Sequence, residues 1–177
     1  MRRTVLVVGG GYGGTLVAKA LDSEADVILV DPREAFVNAA ASLRALTRPD
    51  WAPNAFFPYG TLLERGRVIR DRAVSVDPHG VTLASGRRVE ADYLVLATGS
   101  SYPYPAKPND ASTSIAQQLD DLRATHQEVA DSDRVLILGA GPVGLELAGE
   151  IKEVWPDKRV VIVAKADQLL PGFLPGA

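Results

Sequence analysis

Four consecutive apolar residues, Val5-Leu6-Val7-Val8, run into the glycine-rich stretch Gly9-Gly10-Gly11-Tyr12-Gly13-Gly14. An unbroken apolar run of this length predicts a strand buried on both faces, because a half-exposed strand alternates instead. Leu16, Val17, Ala20 and Leu21 then recur at helical spacing, predicting a helix from about residue 13 to 22. Val27-Ile28-Leu29-Val30 forms a second buried run and closes at Asp31-Pro32. Strand, helix and strand in this order make a βαβ unit, for which parallel pairing is the natural arrangement.

Further on, an Ala-rich stretch from Phe36 to Leu46 predicts a helix ended by Pro49 and Pro53. Between residues 67 and 90 the pattern shortens to alternating segments. Residues 72–77 and 80–83 flank a Pro78-His79-Gly80 turn and Ser85-Gly86 makes another, which predicts a small antiparallel meander. Tyr93-Leu94-Val95-Leu96 returns to a buried strand, and residues 101–111, with Pro103, Pro105 and Pro108, read as a linker. After a helix-like segment over 112–130, Val135-Leu136-Ile137-Leu138 opens a second copy of the first pattern. A glycine loop, a helix over 142–154 and a strand over 160–163 complete that copy. The predicted fold is α/β, with two Rossmann-like βαβ units and a small antiparallel β meander inserted in the first. The division falls at 1–105 and 106–177, and the chain stops soon after Leu169-Leu170-Pro171-Gly172, before the second unit is complete.

The loops explain what such units are for. In the first, Gly9 permits the tight exit from the strand, Gly11 lets a pyrophosphate approach the backbone, and Gly14 lets helix and strand pack closely. The pyrophosphate would rest on the helix N-terminus, where unpaired N–H groups and the macrodipole favour an anion. Asp31, at the end of the second strand, is placed to accept ribose hydroxyls. The second loop, Gly139-Ala140-Gly141-Pro142-Val143-Gly144, has the same context and is followed by Leu145-Glu146. Its second strand ends in Val163-Ala164-Lys165 rather than an acidic residue, and a cation there favours the 2′-phosphate of NADPH.

Composition narrows the chemistry. Cysteine is absent, which excludes disulfides, thiolate metal sites, a cysteine nucleophile and a redox-active disulfide relay. The net charge is −3 with no basic run, which argues against nucleic acid. His79 in its turn and His126 on a polar helix read as surface residues, and neither has partners at metal-ligand spacing, so no metal site is expected. Ser100-Ser101 lacks a histidine arranged as a catalytic partner. Trp51, Phe56, Phe57 and Tyr59 form an aromatic group, either a satellite core under their loop or a lid or docking surface at the cofactor. Two arginines before a short apolar run do not make a signal peptide, and no run approaches the ~20 residues that cross a bilayer. A cytoplasmic protein is expected, and contact with a membrane face is compatible with that.

These features resemble the two-dinucleotide-binding-domain flavoproteins of the pyridine nucleotide-disulfide oxidoreductase superfamily, in which an A-T-G stretch passes close to FAD. Leu29-Val30-Asp31, Phe36-Val37-Asn38, Leu43-Arg44-Ala45 and Leu94-Val95-Leu96-Ala97-Thr98-Gly99-Ser100 resemble the apoptosis-inducing-factor-like branch. Residues 144–152, followed by Trp155-Pro156-Asp157-Lys158, are similar to the ferroptosis suppressor proteins. The resemblance covers nearly the whole chain but about the first half of a full-length member. It implies an FAD-dependent enzyme that oxidises NAD(P)H and reduces a quinone. Gly9, Gly10, Gly11, Tyr12, Gly13, Gly14 and Asp31 would hold the FAD pyrophosphate and ribose. Arg44 would meet the flavin side, Val74 the adenine, and Ala97-Thr98-Gly99 the backbone near the pyrophosphate. Gly139, Gly141, Pro142, Val143, Gly144 and Lys165 would hold NAD(P)H, with Glu146 beside the nicotinamide. Val37 stands where relatives can carry a histidine, so any role of that imidazole is absent.

The leading expectation is therefore hydride transfer from NAD(P)H to FAD and onward to a quinone-like acceptor, with electrons passing directly because no thiol relay exists. Self-association or a complementing chain is compatible with the incomplete halves. Two other readings stay open: a non-catalytic nucleotide-binding fragment needing a partner chain, and a simple NAD(P)-dependent Rossmann dehydrogenase.

Overall fold

The computed structural model describes residues 2–165 and 169–170. Those residues fall into two compact units. The first comprises the described residues of Met1–Val37, Phe56–Tyr102 and Asp110–Gln118; the second, those of Asn38–Ala55, Pro103–Asn109 and Leu119–Ala177.

In the first unit, β1 (Thr4–Val8), β2 (Asp26–Asp31), β5 (Arg67–Arg70) and β9 (Tyr93–Leu96) form a parallel sheet in the order β5-β2-β1-β9. In β1 and β2 the apolar runs are unbroken because both faces are covered, whereas β9 is not the buried strand expected, since its end residues Tyr93 and Leu96 are exposed. Val5, Val7, Val27 and Leu29 point to one side with Ala18 of helix α1 (Tyr12–Leu21). Leu6, Val8, Ile28 and Val30 point to the other, against Val81, Leu83 and Val89. Those three residues belong to the antiparallel meander of β6 (Ala73–Asp77), β7 (Gly80–Leu83) and β8 (Arg88–Glu90). The meander thus does the covering that a second helix layer does in other sheets. Arg67–Arg70 is no part of the meander; it pairs with β2 as the edge of the parallel sheet.

The helix expected over 36–46 is replaced by three shorter elements. β3 (Ala35–Val37) pairs antiparallel with β4 (Phe56–Pro58), a 3-10 turn covers Ala39–Ala41, and α2 is confined to Ser42–Thr47. Opposite each other, Phe36 meets Phe57 and Val37 meets Phe56, so a pairing distant in sequence overrides the local helix propensity.

The second unit contains α2, most of α3 (Ile115–Asp131), and a second βαβ made of β10 (Arg134–Leu138), α4 (Pro142–Val154) and β11 (Arg159–Val163). β10 and β11 pair in parallel, and one of their faces carries the exposed side chains Leu136, Leu138, Val161 and Val163. His126 is half-buried rather than freely exposed: its Nδ1 lies 3.0 Å from the Leu46 carbonyl and its ring 5.2 Å from that of Trp155. His79 is exposed. Among the described residues no helix is long and apolar enough to cross a membrane.

After α1, the Asp22 carboxylate accepts N–H groups from Glu64 and Gly66 at 2.6 Å each and from Arg65 at 3.1 Å, fastening the loop that leads into β5. Burial opposes ionisation of this carboxyl. The three donors and the charge of Arg65 outweigh that and hold its pKa below the ordinary 3.8. A depressed carboxylate pKa adds stability above the unfolded value that is lost as pH falls through the folded one. Asp22→Asn should therefore lower stability at neutral pH. In urea titrations the gap to the wild type should close as pH drops below the ordinary carboxylate range.

Candidate functional site

The first glycine loop leaves the C-terminal end of β1, where β2 lies to one side and β9 to the other. Connections leaving such a central strand in opposite directions open a crevice at its carboxyl end, the usual ligand position in open parallel sheets. Gly9 takes φ +102°, a left-handed value, and its N–H donates to the Val30 carbonyl at 2.8 Å. A Cβ on Gly9 would overlap the Ala97 carbonyl, and one on Gly14 would overlap the carbonyl of Gly9. Two of the three fingerprint glycines are thus required by the protein's own packing.

Gly11 differs. It is the extended N-cap of α1, has no side-chain cap, and an added Cβ there would meet nothing within 4 Å. The same holds for Gly13. An uncapped helix N-terminus with a side-chain-free approach fits a dinucleotide pyrophosphate. Tyr12 is exposed beside it, edge-on to Phe36 with centroids 4.9 Å apart. Ala97 donates its N–H to the Val8 carbonyl at 2.8 Å, and Thr98 and Gly99 (φ +73°) follow as an exposed turn at the same sheet end. Val74 is exposed on β6.

Asp31 is buried and acts first as an organiser of the loop. Its Oδ2 accepts the Gly10 N–H at 2.6 Å and the Arg33 Nη2 at 3.1 Å. Its Oδ1 accepts the Arg33 N–H at 2.8 Å and Nε at 3.1 Å. A ribose hydroxyl donating to this carboxylate has to displace part of the Arg33 contact. The aromatic group of the sequence divides: Phe57 is exposed, whereas Tyr59 is buried in the sheet core and donates its hydroxyl to the Gly10 carbonyl at 2.6 Å.

The second loop repeats the geometry in the second unit. Gly139 takes φ +115°, and its N–H donates to the Val163 carbonyl at 2.8 Å. A Cβ on Gly144 would overlap the carbonyl of Gly139. Gly141 is an uncapped extended N-cap with open space at its Cβ position, and Pro142 and Val143 begin α4. Ala164 takes the place that Asp31 has in the first loop, and the neighbouring Lys165 is exposed. Glu146 is also exposed, on the first turns of α4.

One cluster was not foreseen. Glu150, one turn beyond Glu146 and 8% exposed, gathers two arginines of the α2 segment. Its Oε1 accepts Arg44 Nε and Nη2 at 3.0 Å each, and its Oε2 accepts Arg48 Nη1 at 2.5 Å. Arg48 also reaches Glu153 at 2.7 Å, and the Thr47 hydroxyl approaches Glu150 at 3.4 Å. Burial of Glu150 opposes its ionisation, but hydrogen bonds and charge from Arg44 and Arg48 prevail and lower its pKa. This cluster holds the guanidinium of Arg44, whose side chain as a whole stays half exposed. Among the described residues no group of three or more His, Cys, Asp and Glu is arranged to hold a metal.

Two glycine-loop βαβ units, the first crossed at its sheet end by an Ala-Thr-Gly turn, define a fold of Rossmann type. Residues 3–176 match the family described as pyridine nucleotide-disulphide oxidoreductase, and the chain belongs to that family. It is 34% identical to apoptosis-inducing factor homolog A of Dictyostelium discoideum, over 93% of this chain and 40% of that protein. It is 38% identical to ferroptosis suppressor protein 1 of Taeniopygia guttata, over 94% of this chain and 46% of the relative. The fold is also that of NDH2 from Plasmodium falciparum, solved in complex with NADH. The TM-score is 0.73 at 16% identity, covering 98% of this chain and 44% of that one. The chain thus spans less than half the length of these relatives.

Removing the carboxylate that holds Arg44 and Arg48 tests the cluster. Glu150→Gln should cost about 1–3 kcal/mol in urea denaturation, below a fully buried ion pair because both arginines reach water. The loss should shrink in high salt.

Proposed function

We propose that this chain supplies the cofactor-holding part of an FAD-dependent NAD(P)H oxidoreductase whose final electron acceptor is a quinone or similar small molecule. The observation that carries this reading is the pair of glycine loops. Each has an uncapped helix N-terminus and an open position at its central glycine, and the first also has the Ala97-Thr98-Gly99 turn beside it.

On this reading residues 1–105 serve FAD and residues 106–177 serve NAD(P)H. The N–H groups at 11–14 face the FAD pyrophosphate, and Asp31 accepts a ribose hydroxyl in exchange for Arg33. Thr98 and Gly99 line the pyrophosphate, Val74 abuts the adenine, and Arg44, held by Glu150, serves the flavin end. In the second loop, Gly139, Gly141, Pro142, Val143 and Gly144 hold the other pyrophosphate. Glu146 orients the nicotinamide, and exposed Lys165 favours the 2′-phosphate of NADPH. FAD, when bound, supplies the hydride chemistry; the protein contributes position and charge. These 177 residues contain no cysteine and so contribute no thiol to the electron path. A cytoplasmic location at a membrane face suits a quinone acceptor.

A second reading, a nucleotide-binding portion completed by further polypeptide, draws on the exposed apolar side chains Leu136, Leu138, Val161 and Val163. A parallel sheet is ordinarily covered on both faces.

FAD titration followed by anaerobic NADPH tests the proposal. Bound flavin that is bleached by NADPH is the expected result; bound flavin that NADPH leaves oxidised favours the second reading. Lys165→Glu should shift preference from NADPH toward NADH by up to about fivefold, the scale of an exposed charge contact.

A further inference from the structure

Both peptide groups of Gly10, the second residue of the first loop, are held from the protein side. Its N–H goes to Asp31 and its carbonyl accepts the Tyr59 hydroxyl, each at 2.6 Å. Tyr59 opens the 3-10 turn Tyr59–Thr61 after β4, is 5% exposed, and packs among Val5, Val7 and Leu29. A Cβ on Gly10 would overlap the phenol oxygen, so ring and loop are fitted to each other. Burial pushes the phenol pKa upward, which keeps the hydroxyl a neutral donor.

The second loop satisfies the same carbonyl by other means. Ala140 occupies the position of Gly10, and its carbonyl accepts the backbone N–H of Leu170 at 3.2 Å. Two loops with different surroundings therefore tie down the same atom. The reason lies in peptide planarity: the carbonyl of residue 10 and the N–H of residue 11 belong to one trans peptide and point in opposite directions. Holding the carbonyl inward aims the Gly11 N–H outward, toward the place where an anion approaches the helix N-terminus.

We propose that Tyr59 is a positioning residue for dinucleotide binding, turning the Gly11 N–H toward the pyrophosphate by holding the Gly10 carbonyl inward. The inference rests on the reading that the first loop receives FAD.

Tyr59→Phe keeps the ring and removes the hydroxyl. FAD, ADP and adenosine are titrated against the wild type and the variant. The expected result is a loss of about tenfold for FAD and for ADP, both of which carry a pyrophosphate, with adenosine unchanged. Unchanged ADP binding overturns the role. Equal weakening of all three ligands also overturns it, because Tyr59 would then support only the fold. A wild type that binds neither FAD nor ADP would instead remove the FAD reading of the loop, and this inference with it. Should the variant not fold, hydrogen exchange on the wild type decides. Residues around Tyr59 should be protected without ligand, while 9–14 gain protection on adding ADP. Protection around Tyr59 that arises only with ADP contradicts the proposal.

Discussion

No side chain fits between the carbonyl of Gly9 and the first turn of α1, and the same is true of Gly139 and α4. This close approach of helix onto strand exit sets the rest of the first unit. It goes with a left-handed φ at Gly9, brings Ala97, the residue after β9, against the turn, and leaves the helix N-terminus uncapped at the carboxyl end of the sheet. The two central strands beneath, β1 and β2, are buried on both faces, by α1 on one side and the meander on the other. A glycine loop on such a base presents N–H groups to a ligand without reorganising when it arrives.

The two loops share this frame and differ in how it is braced. The first uses side chains, Asp31 on the Gly10 N–H and Tyr59 on its carbonyl. In the second, Ala164 replaces the carboxylate and a backbone N–H from Leu170 braces the carbonyl. The second unit compensates elsewhere with charge: Glu150 ties Arg44 and Arg48 to α4, so the α2 segment belongs with that helix even though it lies between two parts of the first unit in sequence. Asp31 illustrates a further economy, since one carboxylate both builds the loop and faces the position proposed for the ribose.

Local pattern was enough to reveal both βαβ units, the meander and the glycine positions, because buried parallel strands and tight turns impose their residues within a few positions. What escaped sequence reading depends on distant partners. Tyr59 meets Gly10 across 49 positions, and Arg44 meets Glu150 across 106. The Ala-rich stretch looked helical until Phe36 and Val37 paired with Phe57 and Phe56. β5 looked like part of the meander because it is short and borders the meander's strands in sequence, yet it pairs with β2 as an edge strand of the parallel sheet. His126 sat on a helix rich in polar residues, and only the fold set it against Trp155 and the Leu46 carbonyl.

Of the fingerprint glycines, Gly9 and Gly14 are demanded by packing, while Gly11 stands in open space with ordinary backbone angles. If the loop exists to hold a pyrophosphate, Gly11 lacks a side chain for the ligand's sake alone. Calorimetric titration of ADP into Gly11→Ala, alongside thermal melts of the same samples, separates these possibilities. The account predicts an unchanged melting temperature and ADP affinity reduced about tenfold or more. Wild-type affinity for ADP in Gly11→Ala would contradict it.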